Sequence, residues 1–115
     1  MRRIYLAGPM TGLPQLNFPA FHAEAARLRA LGYDVVNPAE LNPNPNTSWQ
    51  TCMRVDIREL VTCDAVAMLP GWTSSHGATL EHACAVQCGM EVVLASNILS
   101  PRQELGAERA EVCHA

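Results

Sequence analysis

The sequence predicts an α/β domain in which an open, three-layer parallel sheet of four to five strands is flanked by helices, as in flavodoxin-like and Rossmann-like folds. Short apolar runs rich in strand-forming residues alternate with longer segments of helical periodicity. The first three runs end at Gly-Pro, Asn-Pro and Pro-Gly steps. Strands that alternate with helices give a parallel sheet with right-handed crossovers. A length of 115 residues fits one domain over residues 1–115, and a hydrophobic content of 49% supplies its core.

Each element has a local signal. The predicted strands are 3–7, 33–36, 64–69 and 91–95. Helices are expected at 18–31, 49–62 and 78–88, with a short one at 104–112. Asn17 and Ser48 are the expected N-caps of the first two helices, and Gly32 and Gly89 follow the ends of the first and third. Residues 39–47 are rich in Pro and Asn and are expected to form a loop over a surface or a cavity mouth.

The composition excludes several functions. A net charge of −3 argues against a nucleic-acid partner, and the eight basic residues are all Arg, so no Lys can serve a phosphate loop or a Schiff base. No signal peptide or membrane span is predicted, and five Cys without paired spacing favour reduced thiols in the cytoplasm. Cys84 and Cys88 stand four apart on a predicted helix, where small buried apolar residues are favoured over a metal site.

Ligands of parallel α/β sheets bind beyond the carboxyl ends of the strands, which here are followed by loops 8–17, 37–48 and 70–77. The first loop has neither a dinucleotide fingerprint nor a Walker motif. The third leads through Ser75 and Gly77 into a helix start suited to an anion, with Glu81 one turn further on. Glu81 is either a site residue or a simple complement to the helix dipole.

Several other residues are candidates for the site, and each also has a purely structural interpretation. Asp56 suits a ligand or an Arg partner, or is a solvated surface residue, and Tyr5 belongs either to the site or to the core. Asp64 is interpreted as structural, His76 as a ligand contact or a mobile loop residue, and His82 as exposed. Trp49 and Trp72 could stack on a base, serve an interface or simply pack. Trp72 is the better stacking candidate, because it follows a strand directly.

Several of these residues together resemble the nucleoside 2-deoxyribosyltransferase superfamily, which includes the 2′-deoxynucleoside 5′-monophosphate N-glycosidases, and most of all a subgroup found in bacteria and phages. The similarity spans roughly residues 3–95. Its marks are the opening Ile4–Pro9, the pair Asp56 and Asp64, the stretch Ser75–Glu81, and Ala85. Ala83 stands where the superfamily often has Gly, and the residues after the fourth strand match poorly.

The resemblance implies roles for individual residues. Glu81 would be the nucleophile at C1′ of the sugar, Tyr5 would orient its carboxylate, and Asp56 would give a proton to the leaving base. Gly8 and its neighbours Pro9, Met10 and Thr11 would surround the ligand. Ser75 resembles the hydrolases, in which a Ser at this position binds the 5′-phosphate of the substrate. The transferases resemble each other in having an Asp there. The resemblance therefore favours a nucleoside monophosphate as the ligand.

The predicted function is therefore cleavage of the N-glycosidic bond of a nucleoside or its 5′-monophosphate, by hydrolysis or deoxyribosyl transfer. We expect no cofactor and no metal. We expect the chain to form a homodimer or a larger homo-oligomer. One alternative is a nucleotide-binding module without turnover, and another is a dimeric structural protein with a vestigial site. Convergence of Glu81 and Asp56 on one pocket, with Tyr5 in hydrogen-bond reach of Glu81, would favour the enzyme.

Overall fold

The computed structural model describes residues 2–101 and contains one four-stranded sheet. The strands are β1 (Arg3–Ala7), β2 (Asp34–Val36), β3 (Ala65–Met68) and β4 (Glu91–Leu94). They are parallel and lie in the order β2-β1-β3-β4. The predicted parallel α/β architecture is therefore confirmed, and each strand lies inside the predicted apolar run.

Four α-helices connect the strands. They are α1 (Phe18–Ala30), α2 (Pro38–Leu41), α3 (Trp49–Leu60) and α4 (His76–Gln87). Ser48 caps α3 as expected, because its Oγ accepts a hydrogen bond from the Thr51 N–H at 3.2 Å. The one-turn helix α2 lies in the segment predicted as loop. It forms because the Asn37 side chain accepts from the Ala39 N–H at 3.0 Å and Pro38 suits a first helical position. The helix expected at 104–112 lies outside the described residues.

The helices form layers on both faces of the sheet, because successive strand side chains point to opposite sides. Ile4 and Leu6 of β1 belong to the core cluster that contains Phe21 and Leu28 of α1. Tyr5 and Ala7 belong to the second cluster, with Leu60 of α3 and Ala85 of α4. This arrangement is the predicted three-layer sandwich. No helix within residues 2–101 has both the length and the apolar character needed to cross a membrane.

The segment that precedes α1 differs from the prediction. Gln15, Leu16 and Asn17 all have left-handed backbone angles, with φ of 52°, 52° and 59°. The Asn17 side chain does not cap α1. Its amide nitrogen instead donates to the Pro9 carbonyl at 3.0 Å, so that the two ends of the loop after β1 are joined.

The cysteines also correct an expectation. Cys84 is half-buried and Cys88 is exposed, so the interpretation of both as buried apolar residues is wrong. Cys88 lies in the αR–αL turn that closes α4, beside Gly89 (φ +71°), where the chain leaves the core. Cys52, Cys63, Cys84 and Cys88 are free thiols.

The strand order places a topological switch point between β1 and β3. The chain leaves β1 toward β2 on one side and returns to β3 on the other, which opens a crevice at the carboxyl ends of these two strands. The strands approach closely there, since a Cβ on Gly8 would stand 2.7 Å from the Leu69 Cβ. Gly8 is therefore required by packing.

Candidate active site

A cavity of about 270 Å³ opens at this switch point. All three predicted loops contribute to its wall. Its lining includes Gly8, Met10 and Thr11 from the first loop, Asn42, Asn44, Pro45 and Thr47 from the second, and Ser75 and Gly77 from the third. The volume is close to the lower end of the range of ligand pockets, about 300 Å³, so the cavity suits one small molecule.

Glu81 lies in the wall of this cavity and is 96% buried, with a relative exposure of 4%. It belongs to the inward face of α4 together with Ala78 and Ala85. The hydroxyl of Tyr5, a fully buried residue of β1, donates a hydrogen bond to its Oε2. The burial of Glu81 in the cavity wall disagrees with its alternative as a simple complement to the helix dipole, whereas Tyr5 is a core residue that also donates to Glu81.

Asp56 lines the same cavity from α3 and is also buried. Its Oδ1 accepts a hydrogen bond from the Asn42 side-chain amide at 2.8 Å. The partner is therefore an amide of the second loop, rather than the Arg or the solvent expected from the sequence. The structure thus brings Glu81, Asp56 and Tyr5 together, which is the geometry that favours an enzyme.

The surroundings of both carboxyl groups disfavour their ionised forms. Burial raises the pKa of Glu81 to about 8; the Tyr5 hydrogen bond opposes this rise and the Asp56 charge adds to it. Burial likewise raises the pKa of Asp56 to about 7, against the hydrogen bond from Asn42. The pKa of Tyr5 is raised well above its usual value, by burial and then by Glu81, so Tyr5 remains a hydrogen-bond donor. Near pH 7.5 the two carboxyl groups therefore share about one proton.

No basic side chain among residues 2–101 lines the cavity. The arginines are engaged elsewhere in ion pairs: Arg2–Glu91, Arg3–Asp34, Arg27–Glu24, Arg29–Glu40 and Arg58–Glu59. Arg54 lies beside Arg58 on the opposite side of α3. The Ser75 Oγ caps α4 by accepting from the Ala78 N–H at 3.1 Å. The acidic groups of the cavity therefore have no basic counterpart in the described part of the chain.

Residues 2–94 match the model of a family described as a domain of unknown function, DUF4406. The chain belongs to this family. No curated protein gives a significant match.

Solved structures of similar fold extend the comparison of this DUF4406 domain. A 2-desoxiribosyltransferase from Leishmania mexicana has a TM-score of 0.64 and 18% identity, over 82% of this chain and 63% of that one. A 2-deoxyribosyltransferase from Bacillus psychrosaccharolyticus has a TM-score of 0.63 and 22% identity, over 90% and 75%. The CMP N-glycosidase BcmB from Clostridium botulinum has a TM-score of 0.55 and 20% identity, over 81% of this chain and 67% of that one.

The DUF4406 domain therefore has the fold of these enzymes, as the resemblance predicted. It spans 63% of the length of the Leishmania protein. At identities of 18 to 22%, the likeness extends to the fold, and the activity has to be argued from the site.

Three predicted site residues do not line the cavity: Tyr5, Pro9 and Trp72. Trp72 packs against the core cluster on the α3 and α4 side, and its ring stacks on His82 with centroids 4.5 Å apart. Trp72 therefore lies outside the cavity wall, where its predicted contact with the base has no support, and the expectation of an exposed His82 is wrong, because His82 is half-buried. Pro9 is also absent from the cavity lining, and its carbonyl is occupied by Asn17.

The sequence interpretation missed Cys52 and Met53 as residues of the wall and left Trp49 with several alternatives. Trp49, Cys52, Met53 and Asp56 all line the cavity from α3. They follow the i, i+3, i+4, i+7 spacing of one helical face, so that Asp56 and the helical period together were a sufficient signal. Asn42 carried no comparable signal, because its contact with Asp56 depends on the path of the second loop.

Proposed function

We propose that the protein cleaves the N-glycosidic bond of a nucleoside through a covalent glycosyl intermediate on Glu81. The observation that carries this proposal is the Glu81 carboxyl group, which lines the cavity, accepts a hydrogen bond from Tyr5 and shares the cavity with Asp56. The fold shared with deoxyribosyltransferases and an N-glycosidase supports it.

In the proposed reaction, an oxygen of ionised Glu81 attacks C1′ of the sugar, and the electron pair of the C1′–N bond leaves with the base. Protonated Asp56 supplies the proton that the departing base nitrogen accepts. Water or a second base then attacks C1′, and Glu81 departs as a carboxylate with overall retention. The Tyr5 hydroxyl holds Glu81 in position, and Gly8, Met10, Thr11, Ser75 and Gly77 border the ligand.

The charges around the cavity favour an uncharged nucleoside over a 5′-monophosphate. Asp56 and Glu81 would repel a phosphate group when they ionise, and no Arg within residues 2–101 lines the cavity to offset them. The Ser75 hydroxyl, which the resemblance assigns to a 5′-phosphate, accepts the helix-capping hydrogen bond and can donate only its single proton to a ligand, so it supplies no positive charge. We therefore place nucleosides ahead of nucleotides as substrates.

A binding protein without turnover is the second candidate. The raised pKa of Glu81, about 8, favours it, because a protonated carboxyl group is a poor nucleophile at neutral pH. Such a protein would use the same cavity for the same ligands and leave Glu81 idle.

Base release from 2′-deoxynucleosides, ribonucleosides and their 5′-monophosphates, with and without a second free base, tests the proposal. We expect release from nucleosides at pH 7.5, and a loss of at least about a hundredfold in Glu81→Gln, because removing an essential group commonly costs several powers of ten. Glu91→Gln, an exposed carboxylate on β4, is the matched control and should retain full activity.

Further readouts separate the possibilities. Denaturing mass spectrometry of the mixed protein should show the addition of one glycosyl group, which Glu81→Gln should lack. Release only when a second base is present would identify a transferase. Binding of nucleosides without any release would overturn the enzyme and leave the binding protein.

We also propose that the protein assembles with a second copy of itself through the outward face of α4. This face carries Leu80, Ala83 and Val86, and Leu80 and Val86 are 40% and 51% exposed. It has no Asp, Glu, Lys or Arg, so two copies can meet without burying an unpaired charge.

Light scattering should give the mass of a dimer for the parent chain and of a monomer for Leu80→Glu. Val61→Glu, at an equally exposed apolar site beyond α3, should remain dimeric.

A further inference from the structure

We infer that Trp49 is the surface on which the base of the ligand stacks, and that His76 holds its indole ring in place. This inference rests on the proposed function. The first observation is that Trp49, at the first position of α3, lines the cavity and remains half-buried rather than filling the core. A flat aromatic ring in a cavity wall can stack with any base, because every base presents a π-face.

The second observation is the support behind the ring. Trp49 and His76 stand at the first positions of α3 and α4, and their rings stack with centroids 4.6 Å apart at an interplanar angle of 16°. At the residue after His76, a Cβ on Gly77 would approach Met53 Sδ to 3.2 Å and the Trp49 Nε1 to 3.6 Å. The indole is thus held between the starts of two packed helices, and the fixed orientation lowers the entropy cost of stacking.

The third observation is the distance to the reacting groups. Asp56 lies seven residues after Trp49 on α3, or roughly 10 Å along the helix, and Glu81 lies four residues after Gly77, or about 6 Å. The starts of α3 and α4, which carry Trp49 and His76, therefore lie one to two helical turns from the residues that carry the two carboxyl groups. A base bonded to C1′ beside Glu81 would extend toward the ring.

The two Trp–His stacks of the protein provide a matched pair. Trp72 stacks on His82 with nearly the same geometry, with ring centroids 4.5 Å apart and an interplanar angle of 21°. Trp72 does not line the cavity, however. The two tryptophans can be observed separately, because Trp72→Phe leaves Trp49 as the only indole and Trp49→Phe leaves Trp72.

The test is a fluorescence titration of these two variants, excited at the red edge of indole absorption, with adenine, cytosine and 2-deoxyribose as probes. We expect saturable quenching by a free base in Trp72→Phe, none in Trp49→Phe, and none by 2-deoxyribose in either variant. Quenching confined to Trp49→Phe, or no saturable quenching of Trp49 by either base, overturns the inference.

Calorimetry with the quenching base measures the strength of the contact. Trp49→Leu should weaken binding on the order of tenfold or more, whereas Trp49→Phe should restore most of the affinity, because stacking needs an aromatic ring. His76→Ala should weaken binding as well, and His76→Phe should restore it, whereas His82→Ala should leave it unchanged. Equal losses in Trp49→Leu and Trp49→Phe would contradict a stacking role.

These titrations do not depend on turnover. A protein that binds bases at Trp49 but releases none from nucleosides would refute the proposed function and retain the stacking surface. A protein that releases base from nucleosides while Trp49 fluorescence does not respond would retain the function and refute the surface.

Discussion

At the scale of single residues, the site is defined by two buried carboxyl groups that have no basic partner within residues 2–101. Glu81 and Asp56 receive one hydrogen bond each, from Tyr5 and Asn42, and these bonds offset only part of the cost of burying a charge. Such strongly raised pKa values cluster at functional sites. In the proposed mechanism the group with the higher pKa must ionise while the other remains protonated, so that only a fraction of the molecules is in the productive state.

This arrangement predicts a bell-shaped dependence of kcat/KM on pH. The pair must hold exactly one proton, so activity should rise as the pH passes about 7 and fall as it passes about 8, with a maximum near 7.5. Base release from the best nucleoside, measured from pH 5 to pH 10, gives the two limbs.

Asp56→Asn provides the control for this profile. It removes the acid, so activity should be lower; with Glu81 alone left to titrate and its pKa still raised by burial, activity should begin to rise at higher pH than in the parent and should then reach a plateau without an alkaline decline. An alkaline limb that persists in Asp56→Asn would contradict the assignment of Asp56 as the proton donor.

At the scale of elements, the sequence was sufficient for the sheet and for the three longer helices. The inner strands β1 and β3 are apolar on both faces, because helices cover both faces of the sheet, and the apolar runs at 3–7 and 64–69 indicate this directly. Ser48 and the helical period similarly located α3. Glu81, Asp56 and Tyr5 emerged as a set through the resemblance, and their convergence needed the fold.

The failures are elements and side chains whose conformation depends on distant contacts. The left-handed run at 15–17 costs energy at each residue and accompanies a contact between Asn17 and Pro9 that no local pattern reveals. Trp72 directly follows a strand, but its ring turns away from the cavity to stack on His82. Position in a loop did not give the direction of the side chain, whereas the helical period would have identified Trp49.

At the scale of the whole molecule, the cavity exists because separate layers meet at one edge of the sheet. α3 supplies Asp56 and α4 supplies Glu81 to its wall, and Tyr5 of β1 donates a hydrogen bond to Glu81. Folding therefore has to bring both acidic side chains out of water into the same region, where they lose hydration. This cost falls on the stability of the entire domain, and it depends on pH.

The sign of that dependence follows from the direction of the pKa shifts. The pKa of Glu81 is about 8 in the folded chain and near its ordinary value of 4.5 in the unfolded chain, so the folded state binds the proton more tightly. The tighter binding of this proton by Glu81 therefore adds to the free energy of unfolding. The added stability is fully present below about pH 4.5 and is lost as the pH rises toward 8. Asp56 acts in the same direction up to about pH 7.

Thermal unfolding of the parent chain and Glu81→Gln between pH 5 and pH 9 should therefore diverge. Gln keeps an oxygen for the Tyr5 hydroxyl but cannot ionise, so the variant should be close to the parent at pH 5 and more stable by a few kcal/mol at pH 8.5, since one pKa unit corresponds to about 1.4 kcal/mol. Glu91→Gln removes an exposed carboxylate and should follow the parent throughout. Parallel curves for the parent and Glu81→Gln would mean that Glu81 ionises in the folded chain as readily as in water, and the alkaline limb of the activity profile would then need another origin.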